Sequence, residues 1–181
     1  MTKSLGLSLV LLSAMGMHGH GHGRSEAHHA SAPEPARTLL AFDKMFGVDG
    51  AFVGDANPVD DIPGDELPWE IASAQGRLGV DGRLDLAVRG VVFKDADPVP
   101  DNLRGINDEE QFRAAVSCLT EQDGMVVRQN VITEGFPSDV HGDSTIRAHL
   151  ELPDPCIAPA VFVLAGSENK WFAVTGFETE E

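Results

Sequence analysis

Five histidines crowd a glycine-spaced stretch of this chain: His18, His20 and His22, then His28 and His29. Imidazole nitrogens so placed on an unstructured segment can ligate copper, nickel or zinc. Were the mature amino terminus to form directly after Met17, His20 would become its third residue. A free amine, two backbone amides and that imidazole then make a square-planar Cu(II) chelate. Cleavage after Gly16 removes that geometry. The competing reading is a polar leader that spaces a domain from the cell surface.

Carboxylates are the second candidate chemistry. Residues 48–66 hold Asp49, Asp55, Asp60, Asp61, Asp65 and Glu66, and residues 94–110 hold Asp95, Asp97, Asp101, Asp108 and Glu109. Calcium asks for about six to eight oxygens in one place. Neither stretch has the D-x-[DN]-x-[DN]-G spacing with a closing glutamate that supplies them from one segment. Solvated loop carboxylates are therefore preferred to a calcium site.

The charge balance narrows the partners. With 29 Asp and Glu against 13 Lys and Arg, the formal net charge is −16, which repels nucleic acid and anionic membrane. No G-x-S-x-G elbow, phosphate-cradling glycine loop, EF-hand or H-E-x-x-H helix occurs, so no catalytic residue is assigned. His141 and His149 read as surface residues, and the proximity of His141, Asp143 and Ser144 in sequence says nothing about a triad, which is a matter of geometry. Tyrosine is absent. Trp69 and Trp171 fit buried positions at the edge of a core better than a sugar-stacking platform.

The segment ahead of the histidines sets the compartment. Lys3, an apolar run over residues 5–17 and the small residues Ala14 and Gly16 follow the pattern of a secretory signal peptide at residues 1–16. The run falls short of the ~20 residues of a membrane-spanning helix. A second small-x-small site at residues 30–32 makes cleavage after Ala32 the alternative. This predicts a secreted or periplasmic protein without membrane insertion after cleavage, a His-rich tail at residues 17–36 and one domain at residues 37–181. Cys118 and Cys156 are the only cysteines. In an oxidising compartment they are expected to form one structural disulfide.

The domain reads as strands. Leu84, Leu86 and Val88 alternate with charged neighbours, the period of a half-buried strand. Asp81-Gly82 before it predicts a tight hairpin pairing residues 71–78 with 83–92. Residues 111–120 alternate likewise and aim Cys118 into the core, and Asp123-Gly124 turns the chain into residues 125–133. Further strands are expected at residues 38–46, 145–152, 160–165 and 171–177, the last two joined by the polar turn 166–170. Seven or eight short strands without helical periodicity predict an antiparallel β-sandwich, Ig-like in architecture, with a partly open barrel as the alternative.

Several motifs carry a resemblance: Arg37-Thr38-Leu39-Leu40, Gly50-Ala51-Phe52-Val53-Gly54, Leu67-Pro68-Trp69, Phe112-Arg113-Ala114-Ala115-Val116-Ser117-Cys118, Pro155-Cys156-Ile157-Ala158-Pro159 and Trp171-Phe172-Ala173-Val174-Thr175-Gly176. The chain resembles a group of exported bacterial proteins of similar length without an assigned activity. The resemblance implies export and a paired Cys118 and Cys156; it assigns no functional residue and excludes the histidine tail. The functional expectation is a secreted, non-catalytic binding or structural module for a protein or cell-surface partner. The alternative is an extracytoplasmic Cu, Zn or Ni protein acting through its tail.

Overall fold

The computed structural model describes residues 37–176. The expected signal segment, the five tail histidines and residues 177–181 lie outside the described residues. Twelve strands follow in chain order: β1 (Thr38–Phe42), β2 (Met45–Gly47), β3 (Trp69–Glu70), β4 (Ser73–Gly79), β5 (Arg83–Arg89), β6 (Val92–Phe93), β7 (Gln111–Gln122), β8 (Met125–Ile132), β9 (Phe136–Pro137), β10 (Ser144–His149), β11 (Ile157–Ala165) and β12 (Trp171–Thr175).

They build two antiparallel sheets, ordered β1-β4-β5-β10 and β2-β12-β11-β7-β8, with β9 also on β7 and a small β3-β6 ribbon. The inward residues form one core, in which Leu78, Leu84, Leu86, Val88 and Ile146 of the first sheet join Phe112, Val116, Val161, Val163 and Phe172 of the second. The sheets do not close on each other, so the fold is an antiparallel β-sandwich and not a barrel.

Both Asp-Gly turns form where expected. Asp123 (φ 53°) and Gly124 (φ 76°) both take positive φ between paired Gln122 and Met125, as a two-residue type I′ hairpin requires. Gly82 (φ 81°) closes the β4–β5 turn through Gly82 N donating to Gly79 O at 3.0 Å. The expected strand at residues 38–46 is two strands. Asp43 and Lys44 interrupt it, β1 pairing with β4 in one sheet and β2 with β12 in the other. The strand expected to reach residue 92 ends at Arg89, because Gly90 (φ 65°) turns the chain, and a β-carbon at that position would fall 2.7 Å from Ala72 Cβ.

β7 departs from simple alternation. Ala115 and Ser117, on its face away from the first sheet, are as buried as Phe112 and Val116. The segment before β3 covers that face: Trp171 N donates to Pro63 O (3.0 Å), Asp65 N to Trp171 O (3.2 Å), and Asn130 Nδ2 to Asp60 O (2.8 Å).

Cys118 and Cys156 are disulfide-bonded, their α-carbons 4.9 Å apart. The bond ties buried β7 to the entrance of β11. A disulfide fits an oxidising, extracytoplasmic compartment, and no helix among the described residues is long and apolar enough to cross a membrane.

Candidate functional site

The outer face of the first sheet is where cationic chemistry gathers. Its strands alternate, leaving Gln75 and Arg77 of β4, Arg83 and Asp85 of β5, and Thr145, Arg147 and His149 of β10 exposed. Register lines these residues up across the strands. Arg77 and Arg147 both stand opposite Asp85, Gln75 and Thr145 both opposite Ala87, and His149 opposite Arg83. Thr38, Asp43, Gln75, Arg77, Asp85, Thr145 and Arg147 line an open groove of about 800 Å³, with Phe42 and Ala87 contributing apolar surface.

Elsewhere several cations of the described residues are held in ion pairs. Lys94 pairs with Asp49, Arg104 with Asp97 (2.6 Å) and Asp101 (3.3 Å), Arg128 with Asp60 (2.7 Å), and Lys170 with Glu66 and Glu168. In the groove two carboxylates, Asp43 and Asp85, stand with two guanidinium groups. Arg147 Nε lies 3.6 Å from Asp85 Oδ1, whereas Arg77 Nε donates to the Thr38 hydroxyl at 2.7 Å and makes no ion pair among the described residues. Arg83 makes none among them either. The groove is thus balanced in formal charge, and the Arg77 guanidinium keeps donors that no carboxylate takes among the described residues. Planar guanidinium groups with spare donors suit carboxylate or sulfate, which they can bind in a fork.

The Asp-rich loops converge differently from the expectation. Asp65 and Glu66 meet Glu168 of the turn before β12, their carboxylates within 4.8 Å of one another, and the Lys170 ammonium pairs with two of the three. Asp65 is occupied structurally, its Oδ2 accepting from Trp69 Nε1 at 2.8 Å and from Leu67 N at 3.2 Å. This holds Trp69 against Phe172, ring centroids 3.8 Å apart, and Phe93, at 4.1 Å. From the second loop Asp108 comes near enough to feel Asp65: partial desolvation, then the Asp65 charge, raises its carboxyl above the ordinary value. Asp49 is lowered, chiefly by the hydrogen bond from Lys94 and then by that from Gly50 N.

His141 and His149 are both exposed. Ser144 donates its hydroxyl proton to Pro137 O (2.9 Å). Asp139 instead organises that loop, accepting from His141 N (2.9 Å) and Asp143 N (3.0 Å). Both tryptophans are buried, at 2 % exposure each. Neither offers a ring to a sugar. The groove was not legible as a site, because its arginines read only as the outward positions of half-buried strands.

No family model, curated protein or solved structure matches this chain. What fold and groove define is a class: a disulfide-bonded antiparallel β-sandwich with a grooved, charged sheet face.

Proposed function

We propose that the chain is an exported, non-catalytic binding module whose ligand is an acidic cell-surface glycan held in the groove on β1, β4, β5 and β10. The observation that supports it is Arg77, which makes no ion pair among the described residues and stands with Arg147 on either side of Asp85 in a groove that Asp43 also lines. Guanidinium forks recognise uronate carboxylates or sulfate esters, while Thr38, Gln75 and Thr145 supply neutral partners for ring hydroxyls. With both indoles buried and tyrosine absent, recognition rests on charge and hydrogen bonds, not on ring stacking. Export is supported by the disulfide and by the signal-like amino-terminal sequence.

Calorimetric titration of the mature protein with oligogalacturonate, its methyl-esterified form and a neutral glucan tests the reading. Binding of the acidic oligomer alone, weakening with salt and surviving removal of residues before Arg37, is expected. Equal affinity for the esterified form, or loss of binding with the tail, contradicts it.

A further inference from the structure

One long strand edge carries little of the usual protection beyond the single charged side chain of Arg128. β8 is the outer strand of the larger sheet, and its sequence, Met125-Val126-Val127-Arg128-Gln129-Asn130-Val131-Ile132, contains no proline, glycine, lysine or acidic residue. It pairs with β7 from Met125 to Ile132 without a register shift. Sheet edges are ordinarily blunted by lysine, proline, bulges or brevity. The other edges of the two main sheets follow that practice: β1 has a register irregularity between Thr38 and Leu40, β2 spans three residues, and β10 is met by the Ser138–Ser144 bridge.

The direction of its free backbone groups follows from one hydrogen bond. Thr133 N donates to Ala114 O (2.9 Å), so residue 133 turns its backbone toward β7. Alternation then points Val131, Gln129, Val127 and Met125 inward as well. The N–H and C=O groups of Val126, Arg128, Asn130 and Ile132 point to the open side.

Around Gln129 the pattern is a palindrome. Two apolar residues, Val126 and Val127, precede Arg128, Gln129 and Asn130, and two apolar residues, Val131 and Ile132, follow. We infer that β8 is a self-association edge, two copies pairing antiparallel across a two-fold axis at Gln129 so that their larger sheets become continuous. This goes beyond the glycan reading and does not depend on it.

The register that axis imposes is consistent at each position. It puts Val126 opposite Ile132 of the second copy and Arg128 opposite Asn130, both as hydrogen-bonded pairs using the outward backbone groups. Val127 meets Val131, and Gln129 meets its own equivalent. Val126, 75 % exposed, gains an apolar neighbour. Charge is complementary at the same place. Arg128 comes beside Asn130 of the other copy, whose Nδ2 holds the Asp60 carbonyl. The guanidinium thereby nears the second copy's Asp61, which is 82 % exposed and 4.0 Å from its own Arg128.

An interface made of one strand and its flanks is at the small end of specific interfaces. Two chains of charge −16 also repel. The dimer is therefore concentration-dependent and strengthened by salt. Sedimentation equilibrium of the mature chain up to millimolar concentration tests this. The expected result is a reversible monomer–dimer equilibrium weakened at least about tenfold by Val126→Pro, which removes an outward N–H and spares the β7 ladder. Val126→Lys, which sets a charge against the apolar pair, should do the same, and it decides the matter if the proline variant does not fold. A sample mixing labelled and unlabelled chains should show Val126–Ile132 methyl contacts between copies. A monomer throughout, a dimer indifferent to both substitutions, or intermolecular contacts elsewhere would overturn the inference.

Discussion

Asp65 shows how one residue can look like a ligand and serve as a strut. In sequence it is one carboxylate of many; in the fold it is buried and accepts from the Trp69 indole four residues on. Asp65→Ala leaves that donor without its partner inside the core and should cost about 1–3 kcal/mol. Urea unfolding followed by tryptophan fluorescence measures it, and an unchanged midpoint would refute the role. Asp49 and Asp139 have lowered pKa values: Lys94 is the main cause for Asp49, and the hydrogen bond from Asp143 N for Asp139. The unfolded chain thus takes up protons first as pH falls, so the stability these two contribute is present above about pH 4 and is lost as pH falls through their folded values. Asp108, raised in the fold, has the opposite sign: its contribution is present at low pH and lost as pH rises through its folded value. Asp139→Asn should therefore flatten the acid limb of the stability profile, measured by thermal melts between about pH 2 and pH 6.

At the scale of elements, what was legible depended on whether solvent touched one face. β5 alternates because its outer face is wet, and the expectation of residues 83–92 found its core; the Asp-Gly hairpins were legible because positive φ leaves few residue choices. β7 was only partly legible, since residues near Pro63 cover its second face and hide the period. The division of residues 38–46 between two sheets left no mark beyond the polar pair Asp43 and Lys44. The groove arginines were visible as outward charges, yet their meeting depends on β10 joining β5 across a long separation, which no local pattern encodes. The two turn glycines should respond unequally to substitution. Gly124→Ala meets open space and should cost about 1 kcal/mol for its positive φ, whereas a β-carbon at Gly82 would fall 1.9 Å from Leu150 O. Gly82→Ala should be the more destabilising in denaturant melts; the reverse order would contradict the turn assignment.

For the whole molecule, the sandwich carries much of its acidic excess in paired or solvated loops and sets Arg77 and Arg147 on the outer face of one sheet. The Cys118–Cys156 bond closes a separation of 38 residues. Its removal in a Cys118→Ala/Cys156→Ala variant should lower stability by roughly 4 kcal/mol on the chain-entropy estimate, without altering the groove, which lies on the other sheet. Thermal unfolding with and without the bond checks this, and a loss of ligand binding in a variant that stays folded would argue against that separation. The central claim is that the groove is the binding face. Amide chemical-shift mapping during an oligogalacturonate titration tests it most directly. Saturable shifts clustered at Thr38, Gln75, Arg77, Thr145 and Arg147, abolished in the folded Arg77→Glu/Arg147→Glu variant, are expected; shifts confined to the His-rich tail or scattered over the surface would contradict it.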